Sequence, residues 1–192
     1  MYSSQNIERD LLFSVYNDCR TVFRLIDIAM LLGETNFLSL NKRLNYHVQK
    51  GKLLNPRKGI YAKTGYNMLE LSGLLYTPSY ISLEYVLQKS GITFQFDSQI
   101  TAVSYQTRQI EVEGVSLSYR KIKNEILVDT AGITTDEKGV CMATPERALL
   151  DTLYLNSHFY FDNLHSIDTN LIYSLLPIYK SKILAKRISK LF

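Results

Sequence analysis

The sequence lacks the features that mark small secreted proteins and membrane proteins. It has only two cysteines in 192 residues, and Cys19 and Cys141 are too few and too far apart to indicate a disulfide framework or a zinc site. No apolar run approaches the roughly 18 residues of a membrane span, and residues 1–10 do not show the basic-then-apolar pattern of a signal peptide. We therefore expect a soluble, cytoplasmic protein with no membrane partner.

Motifs of nucleotide-dependent enzymes are also missing. The chain has no P-loop, no Gly-x-Gly-x-x-Gly turn and no Gly-Ser…Asp-x-Asp nucleotidyltransferase signature. Three histidines occur without metal-ligand spacing: His47, His158 and His165. A magnesium-dependent nuclease could use strand carboxylates, and the candidates are Asp97, Glu111 and Glu113. Alternating carboxylates on strands more often face solvent, so we predict no catalytic residue, no cofactor and no metal.

Acidic residues are absent from residues 36–63, although this stretch holds seven lysines and arginines. Leu40, Leu44 and Val48 recur at helical spacing. Ser39 precedes them as a candidate N-cap, and Gly51 follows them where a helix can end in a left-handed residue. A helix with one apolar face and one basic face is predicted, with a half-buried structural role for His47.

A hairpin is predicted after this helix, with a turn at residues 56–59 that carries Arg57 and Lys58 at its tip. A winged helix places one element in the major groove of DNA and another on the backbone. Amide side chains can read adenine, and Arg or Lys can read guanine. The candidate DNA-binding residues are Asn36, Ser39, Asn41, Lys42, Arg43, Asn45, Tyr46, Gln49, Lys50, Arg57 and Lys58. The alternative is a solvated basic face, but such faces usually mix acids with bases.

The pattern on either side of this stretch predicts an α+β protein of two domains. Helical periods at residues 7–16 and 24–32, with a short β link at 21–23, complete a winged helix-turn-helix over residues 1–65. A connecting helix and linker follow at residues 66–77, ending at the break before Pro78. Residues 78–192 are predicted to form a mixed α/β C-terminal domain with a small, mainly antiparallel sheet.

Within this C-terminal domain, residues 79–90 are predicted to be a helix that ends at Gly91. Alternating or β-branched runs predict the following strands: residues 92–96, 100–105, 109–112, 116–122, possibly 125–129, and 140–143. A polar loop is predicted at residues 132–139.

A strong helix start stands at Thr144, with Pro145 at the first helical position and Glu146 in the first turn. Arg147 and Asp151 follow four residues apart and can pair on one helix face. A catalytic role for Glu146, Arg147 and Asp151 is conceivable, but capping and the ion pair account for all three.

Charge is unevenly distributed along the chain. Residues 1–75 carry a net charge of +4, residues 76–179 carry −5, and residues 180–192 carry five basic and no acidic residues. The C-terminal stretch alternates these bases with apolar residues, which predicts an amphipathic helix. It could contact DNA through Lys182, Lys186, Arg187 and Lys190, although a packed helix with a solvated basic face fits equally well.

Several segments together resemble the AbiEi-type antitoxins. Residues 44–61, with the run Val-Gln-Lys-Gly-Lys-Leu at 48–53 and Lys-Gly-Ile-Tyr at 58–61, are similar to the winged-helix end of that family. Residues 78–92 and the run Thr-Pro-Glu-Arg-Ala-Leu-Leu-Asp at 144–151 are similar to its C-terminal domain. The resemblance spans residues 5–160, with the motifs in the family's order.

The resemblance implies a transcriptional autorepressor that is also the antitoxin of a type IV toxin–antitoxin pair, active in phage abortive infection. Its partners would be double-stranded operator DNA and a nucleotidyltransferase toxin, which it counteracts without a stable complex. The exposed face of the 39–50 helix and the wing at Arg57 and Lys58 would contact the operator, and the C-terminal domain would act as antitoxin. The short, tyrosine-rich C-terminal end departs from the family, which leaves open whether the chain keeps antitoxin activity or is a stand-alone regulator. A further alternative is a protein-docking module, in which the acidic middle domain binds a basic partner or the toxin.

Overall fold

The computed structural model describes residues 4–95 and 97–192, and for residues 4–10 it describes the backbone alone. The protein is of the α+β class, with one small antiparallel sheet and one larger mixed sheet. It divides into two compact units. Unit 1 comprises residues 1–74 and 137–139, and unit 2 comprises residues 75–136 and 140–192.

Unit 1 contains four helices and three strands among its described residues. In chain order they are α1 (Ser4–Asn17), β1 (Val22–Arg24), α2 (Leu25–Leu32), α3 (Phe37–Gln49), β2 (Leu54–Arg57), β3 (Ile60–Ala62) and α4 (Met68–Leu75). The strands form an antiparallel sheet in the order β1-β3-β2, with Phe23 opposite Tyr61. One apolar core lies between the helices and this sheet, and it includes Leu11, Phe23, Ile28, Leu40, Leu44 and Tyr61.

The predicted ends of α3 and of the hairpin need correction. The helix begins two residues before Ser39, because the Oδ1 of Asn36 accepts the N–H of Ser39 at 3.0 Å and is the actual N-cap. Gly51 follows the helix with a φ of 67°, a left-handed conformation that glycine adopts without strain. The hairpin loop is only Lys58 and Gly59, and Pro56 lies within β2 rather than in the turn.

Helix α4 is tied to the start of β1 by a buried carboxylate. One oxygen of Glu70 accepts the N–H of Thr21 at 2.6 Å and that of Val22 at 3.2 Å, and the other accepts the Thr21 hydroxyl at 2.8 Å. These bonds satisfy the backbone donors that precede the strand. The helix predicted as a connector is therefore packed into unit 1 along most of its length.

Unit 2 is built on a six-stranded sheet. Its elements in chain order are β4 (Ser79–Ile81), α5 (Glu84–Lys89), β5 (Ile100–Ser104), β6 (Arg108–Val112), β7 (Val115–Lys121), α6 (Asn124–Leu127), β8 (Ile133–Thr135), β9 (Cys141–Ala143), α7 (Pro145–Leu155), α8 (Thr169–Leu175), a 3-10 turn (Leu176–Tyr179) and α9 (Lys182–Leu191). The strand order is β6-β7-β5-β4-β9-β8.

This sheet is larger and more mixed than the small, mainly antiparallel sheet predicted. Strands β5 and β7 are parallel, with Ile100 opposite Leu117, and β4 and β9 are parallel, with Ile81 opposite Met142. The other three pairings are antiparallel. Alternation of apolar and polar residues along a segment predicts that the segment is a strand, but it does not predict which strand pairs with it. The pairings between distant segments were therefore not predictable from local patterns.

Four segments of unit 2 differ from their predicted states. Residues 79–81 are a central strand rather than the start of a helix, and residues 92–95 contain no strand, while Phe96 lies outside the described residues. The possible strand at 125–129 is instead the short helix α6, and the predicted loop at 132–139 contains β8. In each case the segment is short and its apolar spacing fits both a helix and a strand. Its secondary structure is therefore set by the tertiary contacts around it rather than by its own propensity.

Candidate nucleic-acid interface

One face of α3 is buried and the opposite face is open. Leu40 and Leu44 are fully buried, and Val48 packs against the same core. Because a helix turns about 100° per residue, some of the residues between them point away from the core. The open face consists of Leu38, Lys42, Asn45, Tyr46 and Gln49, all of which are exposed.

His47 lies on the buried side of this helix. Its side chain has 0% exposure, which is deeper than the half-buried position predicted. Its ring meets that of Tyr46 at a centroid distance of 5.5 Å and an interplanar angle of 70°. This edge-to-face contact packs the exposed tyrosine against the helix that carries it.

The two N-terminal candidates, Asn36 and Ser39, lie at the capped start of α3. Asn36 caps α3 through its side-chain oxygen, and its own N–H donates to Glu34 at 2.9 Å. Ser39 is half-buried in the first turn. A phosphate oxygen could still approach the N–H groups of this helix end, but the Asn36 side chain is already committed to one of them.

Among the described residues, Arg43 is the α3 candidate whose charge an acid neutralises. Its Nη2 lies 2.6 Å from the Oε2 of Glu34, and both side chains are about three-quarters covered. Glu34 stands just before the acid-free stretch, so the sequence gives no sign that it returns to this helix. The ion pair places Arg43 beside the open face and reduces the positive charge there.

Asn41 and Asn45 meet a tyrosine from the hairpin. The hydroxyl of Tyr61 in β3 donates to the Oδ1 of Asn41 at 2.6 Å, and the Oδ1 of Asn45 lies 3.2 Å from the same hydroxyl. Tyr61 is 2% exposed, and burial raises the pKa of its phenol above the ordinary value. Its hydroxyl therefore stays protonated at neutral pH and can serve as a donor.

The hairpin presents its two basic candidates at its tip. Arg57 and Lys58 are exposed, and Gly59 completes the loop with a φ of 78°. The side-chain amide of Asn55 donates to the carbonyl of Arg57 at 2.9 Å and to that of Ile60 at 2.7 Å. This clamp fixes the loop on which both cations stand.

Every described acidic side chain among residues 11–74 of unit 1 has a partner within the unit. Asp18 pairs with Arg20 at 2.8 Å, Asp27 accepts the N–H of Arg24 at 2.7 Å, and Glu34 and Glu70 are engaged as described. Hydrogen bonds from Arg20 lower the pKa of Asp18 below its usual value.

Five exposed cations form no ion pair within the described residues: Lys42, Lys50, Lys52, Arg57 and Lys58. The Nζ of Lys50 lies 5.7 Å from the ring centroid of Tyr46.

Helix α9 in unit 2 carries three of its four candidate cations on an open face. Lys182, Lys186 and Lys190 are exposed, whereas Leu184 and Ile188 on the opposite side are buried. The fourth candidate, Arg187, is half-buried and donates to the carbonyl of Leu153 in α7 at 2.6 Å. Arg187 thus has a packing role, while the three lysines are spaced one turn apart along the helix.

The predicted pair of Arg147 and Asp151 lies inside unit 2 rather than on a helix surface. Both side chains have 0% exposure, and the Nε of Arg147 lies 3.6 Å from the Oδ1 of Asp151. The guanidinium also donates to the carbonyls of Ile126 at 2.7 Å and Ala131 at 2.9 Å. The arginine therefore holds the α6 region against α7.

Hydroxyl groups surround the carboxylate of this pair. Tyr179 donates to Asp151 at 2.6 Å, Ser82 donates at 2.8 Å, and the Tyr80 hydroxyl lies 3.3 Å away. Burial raises the pKa of Asp151, while Arg147 and the hydroxyl donors oppose that rise. Glu146 accepts the N–H of Asp168 at 3.2 Å. All three residues considered for catalysis thus have structural partners.

The described residues contain no group of three or more His, Cys, Asp and Glu side chains that could hold a metal ion. Within the same residues, no helix is both long enough and apolar enough to span a bilayer.

Tyr61, Asn55 and Glu34 also contribute to this site, although they are not among the candidates that the sequence indicates. Tyr61 lies in a predicted strand, and nothing in its sequence neighbours shows that its hydroxyl reaches α3. Asn55 does carry a local signal, because asparagine beside a Pro-x-x-Gly turn often bonds the turn backbone. No family model matches the chain, and no curated protein matches it with significance.

Proposed function

We propose that this protein is a sequence-specific, double-stranded DNA-binding regulator that acts in the cytoplasm through unit 1. The observation that carries the proposal is the open face of α3, where Lys42, Asn45 and Gln49 lie together beside exposed cations that pair with no acid among the described residues. Such a face combines side chains that read base edges with charges that attract phosphate. A basic face that is merely solvated would not require the acidic residues of the unit to be engaged in contacts elsewhere.

The arrangement of unit 1 supports assignment as a winged helix-turn-helix. Helices α2 and α3 are joined by a four-residue turn at 33–36, and the hairpin β2–β3 follows α3 and pairs with β1. In helix-turn-helix proteins the second helix enters the major groove. Here α3 would be that helix, and Arg57 and Lys58 would meet the adjacent backbone from the hairpin tip.

The two sets of residues are proposed to have different roles. Lys42, Asn45 and Gln49 would contact base edges, with Asn and Gln pairing to adenine and Lys to guanine. Arg57, Lys58, Lys50 and Lys52 would neutralise phosphates, which positions the protein without carrying sequence information. Tyr46 could stack on a sugar or base edge, since it is 43% exposed.

Helix α9 is proposed as a second contact to polyanionic phosphate. Its lysines recur every four residues, about 6 Å apart along the helix axis. Its apolar residues Leu184 and Ile188 are buried in unit 2, so this face is not available to insert into a lipid surface. Lys182, Lys186 and Lys190 would therefore add salt-dependent affinity rather than specificity.

We further propose an antitoxin role on the basis of the resemblance to AbiEi-type proteins. The motifs at residues 78–92 and 144–151 support this role, and unit 2 would counteract a nucleotidyltransferase toxin without a stable complex. The alternatives are a stand-alone regulator and a protein-docking module.

A binding titration tests the DNA-binding proposal. The full chain would be titrated against the DNA immediately upstream of its own gene and against a scrambled duplex of equal length and composition, at two salt concentrations. We expect tighter binding to the upstream DNA, with affinity that falls as salt rises. Equal affinity for both duplexes, or no binding at low salt, would contradict the proposal.

The antitoxin proposal needs a separate test. A nucleotidyltransferase gene found beside this one would be expressed with the full chain, and with a DNA-binding variant carrying alanine at Arg57 and Lys58. Restored growth with both proteins would support an antitoxin activity independent of repression. Failure of both would leave the stand-alone regulator as the better assignment, and a stable complex with the toxin would favour the docking module.

A further inference from the structure

The hydroxyl of Tyr61 joins the hairpin to two asparagines on α3. Asn41 and Asn45 are separated by one helical turn and lie on the same side of the helix. The Tyr61 oxygen lies 2.6 Å from the Oδ1 of Asn41 and 3.2 Å from the Oδ1 of Asn45. Asn41 is half-buried and Asn45 is exposed, so the chain of contacts runs from the interior toward the open face.

The chemistry of a hydroxyl sets how these three groups can bond. A phenol has one proton to donate and can accept through its oxygen. The shorter contact, to Asn41, takes the proton. The contact to Asn45 becomes a hydrogen bond only if the side-chain amide of Asn45 turns, so that Nδ2 donates to the Tyr61 oxygen. This turn only exchanges the positions of Oδ1 and Nδ2, two atoms of nearly equal size. In the turned orientation, Asn45 would donate to Tyr61 and Tyr61 would donate to Asn41.

We infer that Tyr61 is a positioning residue for base recognition, which holds the Asn45 amide so that its oxygen points outward and favours base pairs that present an N–H donor. This inference rests on the DNA-binding function proposed above. In the major groove such donors are the N6 amino group of adenine and the N4 amino group of cytosine. A fixed amide would also lose less rotational freedom when it binds.

The arrangement also links the two contact elements of unit 1. Tyr61 lies in β3, next to the loop that presents Arg57 and Lys58, and its ring is buried in the core. Because the Tyr61 hydroxyl bonds to α3, the position of the hairpin and the orientation of the Asn45 amide both depend on the Tyr61 side chain. Base readout and backbone contact are thereby held in a fixed relation.

The test uses Tyr61→Phe, which keeps the buried ring and removes the hydroxyl. The measured quantity is the specificity ratio, the Kd for scrambled DNA divided by the Kd for upstream DNA. We expect the ratio to fall roughly tenfold, in line with the discrimination of one well-placed amide contact, and the salt dependence to stay unchanged. The matched control is Tyr16→Phe, which removes a 2.7 Å hydrogen bond to the carbonyl of Lys52 elsewhere in unit 1 and should leave the ratio unaltered.

A second substitution separates positioning from general destabilisation. In the Asn45→Ala background, Tyr61→Phe should change the ratio by less than about twofold, because a residue that acts through Asn45 has nothing left to position. An equal effect of Tyr61→Phe in both backgrounds, or an unchanged ratio in the wild-type background, would overturn the inference. A wild-type protein without preference for the upstream DNA would instead overturn the proposed function on which the inference rests.

A measurement on the free protein checks the orientation directly, whatever the effect of the variants on folding. In NMR spectra of the full chain, the Asn45 side-chain amide protons should show a strong NOE to the ring protons of Tyr61. Absence of this NOE, with the Asn41 amide protons close to the ring instead, would show that the chain of hydrogen bonds runs in the opposite direction and would overturn the inference.

Discussion

The guanidinium of Arg43 lies 2.6 Å from the carboxylate of Glu34, and this ion pair limits the positive charge on the open face of α3. The two residues are nine positions apart, on either side of the α3 N-cap. Ion pairs of partly exposed side chains are weak, typically under about 1 kcal/mol. A phosphate group could therefore compete with Glu34 for the same arginine.

Removing the acid should release this arginine for DNA. We expect Glu34→Gln to tighten binding to upstream and scrambled DNA alike by roughly threefold to tenfold, and to steepen the salt dependence by about one counterion. The readout is Kd at four salt concentrations. Asp18→Asn is the control, since it removes the same charge beside Arg20 rather than beside α3. A Glu34→Gln protein with unchanged salt dependence would show that Arg43 does not reach phosphate.

The hairpin tip should contribute affinity without specificity. In the Arg57→Ala, Lys58→Ala double variant we expect binding to both duplexes to weaken by similar factors and the slope of log Kd against log salt to fall by about two. Lys121→Ala, Lys123→Ala is a control of equal charge in unit 2, where both lysines are exposed. A selective loss of upstream binding would mean that the tip reads bases rather than phosphate.

The lysines of α9 should add a further contribution to affinity that depends on salt. We expect alanine at Lys182, Lys186 and Lys190 to lower the salt slope by up to about three without changing the specificity ratio. A variant with alanine at Lys89, Lys121 and Lys123 removes three exposed cations of unit 2 outside α9. Identical behaviour of the two triple variants would show that α9 is only a solvated face.

Loss of the buried arginine should destabilise unit 2 strongly. Arg147→Met leaves the Asp151 charge without its partner and the carbonyls of Ile126 and Ala131 without their donor. Breaking a buried pair in this way costs about 3–5 kcal/mol, measured as the free energy of unfolding in urea. Arg187→Met is the comparison, because Arg187 is half-buried and its one carbonyl bond should contribute about 1 kcal/mol. Similar losses for the two variants would contradict a special role for the buried pair.

The titration of Asp151 predicts a pH dependence with a definite sign. Because burial raises its folded pKa above the unfolded value, the folded state binds more protons between the two values, and this site loses stability as pH rises through that window. We expect the stability of wild type relative to Asp151→Asn to decrease from about pH 4 upward. The measurement is urea unfolding of both proteins across pH. A difference that grows with pH would mean that Arg147 and the hydroxyls outweigh burial.

Local patterns predicted much of unit 1 and the start of α7 in unit 2. The apolar spacing of Leu40, Leu44 and Val48 matches the buried side of α3, and the strong cap at Thr144 matches the start of α7, where its side chain accepts the N–H of Arg147 at 3.3 Å. These signals are local because helix periodicity and capping involve residues within one or two turns. They succeed wherever the nearest neighbours in sequence decide the structure.

Local patterns were insufficient for the sheet of unit 2. Residues 79–81 have an apolar content that suits a helix or a strand, and they became a strand because β5 and β9 flank them.

The sequence by itself determined where the cations lie and which helical faces are apolar, since both follow from residue order and period. Only the tertiary structure decided which side chains meet across distant segments. Glu34 neutralises Arg43 and Tyr61 reaches Asn41 and Asn45, because hydrogen bonds and ion pairs form between groups that folding brings within about 3 Å. The spacing of Arg147 and Asp151 predicts their pairing on one helix, but only the packing around α7 buries both side chains.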